Sequence, residues 1–155
     1  LKRTMKHTLS LIAYSFIFCF ALSTITGCAK KGCTNPKSDN YNADVKKDDG
    51  SCIPWRDKFI GSYSATDNCN SSGSTYTIIV TKSSDSEDKV LINAGSFNFE
   101  AEITGQNTAN IPEQVGYSVY TINGSIDISG KTLTMNYTLS SQSDPLTCIA
   151  SGEKS

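Results

Sequence analysis

From Phe59 to Ser155 the chain alternates apolar and polar side chains with a period of two, a pattern that leaves little room for helices. Successive side chains of a strand point to opposite faces, so a half-buried strand reads apolar, polar, apolar. Phe59, Gly61, Tyr63 and Ala65 hold the apolar phase of a first run, Tyr76, Ile78 and Val80 that of a second, and Val90, Ile92 and Ala94 that of a third. Phe97, Phe99, Ala101 and Ile103 follow, then Tyr120, Ile122, Gly124, Ile126 and Ile128, then Leu133, Met135, Tyr137 and Leu139, and a last run carries Cys148 and Ala150. These runs are rich in Thr, Ile, Val and Tyr, as strands are. Turn-forming residues separate them at 70–74, 83–88, 105–107, 129–131 and 142–145. The short Ser129-Gly130-Lys131 link reads as a tight hairpin. Residues 59–155 are therefore predicted to be one all-β domain, a meander of seven or eight antiparallel strands, of ordinary domain size.

The other end of the chain reads as an address. Lys2, Arg3 and Lys6 make a positive start without an acid, and an apolar run over residues 9–22 follows. The run is shorter than the ~20 residues needed to span a bilayer and suits the apolar region of a signal peptide, with Met5 as a candidate start. Ile25-Thr26-Gly27-Cys28 resembles the lipobox of bacterial lipoproteins. The resemblance implies cleavage after Gly27 and a lipid on the Cys28 thiol. Stable anchoring takes more than one acyl chain, which diacyl or triacyl modification supplies. Residues 1–27 are then the signal peptide and 28–31 the lipidated N-terminus, with the membrane as the first partner. Ala29, not Asp, follows Cys28. By resemblance to the usual sorting rule this points to the outer membrane of the cell envelope, and the face stays open. Of fourteen Lys and Arg, three precede the cut, leaving eleven against fifteen Asp and Glu, about −4. Nucleic acid is not an expected partner, since its footprint is clustered positive charge.

Cys19 lies in the signal and Cys28 takes the lipid. Cys33, Cys52, Cys69 and Cys148 remain, an even set in an oxidising compartment, so two disulfides are expected. Four cysteines allow three connectivities. The pairing chosen is Cys33–Cys52, which closes a polar segment almost without a core, and Cys69–Cys148, which ties the start of the β domain to its end. No C-x₂-C pair is present to suggest zinc. Bridged residues have Cα atoms within ~7 Å, so the second bridge brings first and last strands together. A meander whose ends meet is a closed barrel without edges, with a β-sandwich as the alternative. Phe59-Ile60-Gly61-Ser62-Tyr63 resembles the Gly-x-Trp opening of lipocalin-like barrels, with Tyr63 in the place of Trp. The whole stretch is similar to small lipocalin-like domains of Bacteroidota lipoproteins.

Residues 32–52, GCTNPKSDNYNADVKKDDGSC, form a separate unit, joined by a linker at 53–58 in which Trp55 is expected to pack the two units together. The unit resembles a short cysteine-bounded module of exported Bacteroidota proteins, roughly GCTDP-x-A-x-NYD-x-x-A-x-x-DDGSC. Asp39, Asn40, Asn42, Asp44, Asp48 and Asp49 offer oxygens, and Ca²⁺ takes six to eight, so calcium is a candidate cofactor. Gly50 allows the bend a ligand loop needs. Equally, Asn and Asp in a closed loop cap their own backbone.

Catalysis finds little to work with. His7, the one histidine, lies in the signal, and each cysteine has another assignment. No G-x-S-x-G is present. Glu100 and Glu102 share a strand face opposite Phe99, Ala101 and Ile103 and read as solvated charges. The chain is expected not to be an enzyme. Tyr63, Tyr76, Phe97, Phe99 and Tyr137 fall in the inward phase, where they either fill a small barrel or line a ligand cavity in its mouth. The expected function is non-catalytic: a lipid-anchored envelope protein whose barrel binds a small apolar ligand or serves as an interaction surface. The alternative is a protein-binding module, an adhesin or enzyme inhibitor, with residues 32–52 as a calcium-stabilised spacer.

Overall fold

The computed structural model describes residues 29–69, 73, 75–141 and 145–155; the signal segment and Cys28 lie outside them. The small unit comes first. Strands β1 (Lys31–Gly32) and β2 (Lys47–Asp48) pair in parallel, and Cys33 and Cys52 are bridged with Cα atoms 4.7 Å apart. Val45 and Cys33 are its buried apolar side chains. With so small a core, the bridge and side-chain caps must hold the loop. Pro54 then opens a single 3₁₀ turn, Trp55–Lys58.

Eight antiparallel strands follow in sequence order and close on themselves: β3 (Gly61–Asp67), β4 (Thr75–Lys82), β5 (Lys89–Ala94), β6 (Phe97–Ile103), β7 (Thr108–Tyr117), β8 (Tyr120–Ser129), β9 (Thr132–Ser140) and β10 (Leu146–Lys154). The last strand pairs with the first from Ala150–Asp67 through Lys154–Tyr63. The fold is thus the closed up-and-down barrel, not the sandwich. Cys69 and Cys148 are bridged at the end of that seam, with Cα atoms 5.0 Å apart.

The inward phase read from the sequence is the core. Tyr63, Ala65, Ile78, Val80, Val90, Ile92, Ala101, Ile126 and Leu133 are buried, while their strand neighbours are largely exposed. Each fully buried Val, Ile or Leu among them contributes roughly 1.5–3 kcal/mol, which is why the register is pinned. Two-residue turns join β5–β6 at Gly95-Ser96, β7–β8 at Ser118-Val119 and β8–β9 at Gly130-Lys131. Gly95 and Gly130 supply the positive φ that such turns require, and at Ser118 a serine adopts it.

One strand was not among the seven runs. In β7 the ladder to β6 is regular at Ile103–Ala109 and Glu102–Asn110 and then stops. Pro112 has no N–H to give, and the pairing to β8 shifts register between Ile111 and Gln114. The Gln114 side chain replaces the missing ladder. Its Oε1 accepts from the Glu100 N–H at 2.8 Å, and its Nε2 donates to the carbonyls of Glu100 at 2.8 Å and Pro112 at 3.0 Å. An amide side chain presents the same donor and acceptor as a peptide, so the wall stays satisfied across the bulge.

The barrel has two unlike ends. At one, Phe59 is fully buried, and Trp55 and Ile60 pack against the core. The Tyr63 hydroxyl donates to the Phe59 carbonyl at 2.8 Å, and the Lys154 ammonium lies 5.8 Å from the Tyr63 ring centre. The small unit is tied to this end by Lys58–Asp39 at 2.9 Å, by Lys37–Asp88, and by a hydrogen bond from Gln106 to Asp39 at 3.0 Å. Trp55 packs against the barrel core, and its backbone N–H donates to the Lys37 carbonyl of the small unit at 3.1 Å. The other end, where Asn68 and Cys69, the turns at 95–96 and 118–119, and Ser141 lie, is the mouth.

Candidate functional site

A cavity of about 390 Å³ opens at the mouth. Pockets that take small ligands span roughly 300–1,000 Å³, so this one suits a compact molecule. Strand polarity explains why it lies here. The apolar phase at the plugged end carries branched aliphatics and Tyr63, which fill the space. Toward the mouth the same phase carries Tyr76, Phe97, Phe99 and Tyr137, set against Ala94 and Gly95, and the space stays open. The five aromatics singled out from sequence therefore divide: Tyr63 fills, and the other four line.

Sequence reading missed Asp67. It follows Tyr63 and Ala65 in the same inward phase, so a carboxylate stands where an apolar residue was due, and it lines the cavity. That break in phase was the available signal. Its Oδ1 accepts from the Cys69 N–H at 3.2 Å, and its Oδ2 from the Tyr137 hydroxyl at 3.5 Å. The Tyr137 hydroxyl also lies 3.2 Å from Cys69 Sγ, which is bridged and can only accept. Tyr76 hydrogen-bonds into the same group. The second bridge thus forms part of the cavity wall as well as the seam.

Burial, and then the Asp67 charge, push Tyr137 up to about 12, while a hydrogen bond from Tyr76 works the other way. Burial, then Tyr137 and Asp67, also raise Tyr76. Burial raises Tyr63. A free tyrosine ionises near 10. The folded chain thus holds its proton longer, so this contribution to stability is intact below about pH 10 and is lost as pH rises through about 12. Absorbance titration should show tyrosinate forming later in the native chain than in the denatured one. Coincident curves would contradict the buried cluster.

Five of the six candidate calcium ligands already have hydrogen-bond or ion-pair partners. Asp39 turns to Lys58 and Gln106 of the barrel side. Burial works to raise its pKa, but those hydrogen bonds and the Lys58 charge leave it lowered. Asn40 donates to the Ser51 carbonyl and accepts from the Ile53 N–H, and Asn42 accepts from the Asp44 N–H. Asp44 is exposed in that turn. Asp48 accepts from Gly50 N–H and Thr34 hydroxyl, and Asp49 from Ser51 N–H. The Ser51 hydrogen bonds lower Asp49. Among the described residues no three carboxylate, cysteine or histidine groups gather as a metal site. Since Asn40, Asn42, Asp48 and Asp49 cap backbone and Asp39 is held by Lys58, the melting temperature is expected to be the same in calcium and in chelator. A rise with calcium, as mass action requires of a native-state ligand, would restore the metal reading.

Glu100 and Glu102 stand outside the barrel around Lys89, with Glu100 Oε2 at 3.2 Å and Glu102 Oε1 at 3.8 Å from its ammonium. Neither lines the cavity. Comparison of the chain with family models, with curated proteins and with solved structures finds no match.

Proposed function

We propose that the chain is a non-catalytic, lipid-anchored protein of the bacterial cell envelope whose barrel holds a small apolar ligand in its mouth. The observation that carries the ligand reading is the cavity, walled by Tyr76, Phe97, Phe99, Tyr137 and Met135 and plugged at its far end by Phe59 and Tyr63. An apolar wall with a few placed polar groups is the usual form of a small-molecule site. The lipobox-like Ile25-Thr26-Gly27-Cys28 supports the anchor and, with Ala29 after it, the outer membrane.

A second reading is favoured by a different surface. Val115 and Val119 are each 65% exposed and Tyr117 is 50% exposed on the β7–β8 hairpin, an apolar tip that a protein partner could cover. Native mass spectrometry of the chain taken from its own membrane tests both. The expected result is a diacylglyceryl-bearing Cys28 and an apolar ligand at one per chain, lost in Ala94→Trp, which puts an indole into the cavity. Recovery without ligand but with a protein bound would overturn the first reading in favour of the second.

A further inference from the structure

We propose that the molecule held in the mouth is an apolar amine, its protonated nitrogen seated against the Asp67 carboxylate and its body among the aromatic rings. This deepens the ligand reading above and rests on it. Charge is what selects among apolar ligands. Asp67 is the one ionisable acid or base, tyrosines aside, among the described residues that line the cavity, and no Lys, Arg or His lines it. The described residues of the mouth turns, 68–69, 95–96, 118–119 and 141, hold no Lys, Arg or His either. The basic side chains Lys58, Lys82, Lys89, Lys131 and Lys154 all stand at the plugged end, one barrel length away.

A fatty acid would bring its carboxylate toward Asp67 with no cation among the described lining residues to receive it, and like charges repel. An alcohol would find hydrogen bonds but no charge to meet. An ammonium would find both. A carboxylate accepts at about four lone-pair positions. The Cys69 N–H takes one of Asp67's at 3.2 Å, the Tyr137 hydroxyl another at a long 3.5 Å, and Tyr76 also reaches the carboxylate, which leaves one position for a stronger donor. The rings of Tyr76, Tyr137 and Phe97 line the same space, and ring faces attract cations. Burial and the Asp67 charge keep the two tyrosines protonated, and among the described lining residues no cation faces the Asp67 carboxylate.

Capping the Cys69 N–H needs an oxygen and not a charge, so Asp67→Asn should keep the turn and remove only the charge. Calorimetric titration of the purified chain with n-octylamine, n-octanol and octanoate compares three head groups on one tail. Octylamine is expected to bind about tenfold tighter than octanol, octanoate weakest of the three, and Asp67→Asn to bring octylamine to the octanol level. Octanol or octanoate binding as well as octylamine would overturn the amine while leaving the apolar-ligand reading intact. An amine preference that survives Asp67→Asn would likewise overturn it. Failure of all three probes to bind would overturn both readings together.

Discussion

Gly124→Val is expected to prevent the barrel from forming, or to lower its melting temperature by about 15 °C or more. Gly124 lies in β8, paired with Ile111 of β7 on one side and Tyr137 of β9 on the other. A Cβ there would collide with the carbonyl oxygen of Asn136, and would lie 2.7 Å from Tyr137 Cα and 3.0 Å from the Asn136 carbonyl carbon. These are backbone atoms of a strand laddered on both edges, so they cannot swing aside as a side chain would. Overpacking of a core costs about 1–3 kcal/mol, occasionally more, and valine adds two methyl groups beyond the clashing carbon. A loss of about 3 kcal/mol shifts the midpoint of a domain this size by about 15 °C. The position explains the glycine. It sits beside the Ile111–Gln114 register shift, where the wall bends, and a barrel sheet curves at bulges and glycines. Thermal circular dichroism of Gly124→Val beside Ser125→Val, an exposed neighbour in the same strand, separates collision from strand propensity. Equal midpoints would show that the strands have slack at this corner.

That corner also marks where the sequence was hardest to read. The alternation named the inward side chains of β3, β4, β5, β6, β8 and β9 because burying one face forces period two and leaves the other free to be polar. It failed at β7, although Ala109 and Ile111 are buried there as the pattern would ask. Pro112 and the register shift break the phase after four residues, and Pro within a run argues against a strand. The compensating device, the Gln114 amide bonded to both backbone groups of Glu100, is a tertiary contact between residues fourteen apart and leaves no local trace. The cavity was half legible. Phase placed five aromatics inside, but whether rings fill or line depends on their neighbours, and Ala94, the register partner of Phe97, and Gly95 beside it leave the space that larger side chains would have closed. Asp67 was visible as a charged residue in an apolar phase, and its pairing with Tyr137, seventy residues on, was not. The candidate calcium ligands illustrate the reverse case. Their composition matches a metal loop and a set of backbone caps equally well, because both uses need the same oxygens, and direction in space alone separates them.

The second bridge should prove the largest single covalent contribution to the barrel. It spans 79 residues, against 19 for Cys33–Cys52. In the chain-entropy account a loop of that length restrains the unfolded ensemble by about 4.5 kcal/mol, against about 3 for a short one. The double variant Cys69→Ala/Cys148→Ala is therefore expected to lose about 4 kcal/mol, or about 20 °C in midpoint. Both cysteines must change together, since Cys148 is fully buried and a lone thiol there would add a cost of its own. Cys33→Ala/Cys52→Ala should act differently, loosening the small unit while the barrel midpoint moves little, because its ties to the barrel are chiefly Asp39–Lys58 and Lys37–Asp88 at the plugged end. The mouth bridge has a second consequence. Cys69 lines the cavity and its N–H holds Asp67, so opening the bridge frees the turn that aims the carboxylate. Ligand affinity should then fall even at temperatures where the barrel remains folded. A midpoint within a few degrees of the parent, with affinity unchanged, would mean that the β3–β10 ladder from Asp67–Ala150 to Tyr63–Lys154 closes the barrel unaided.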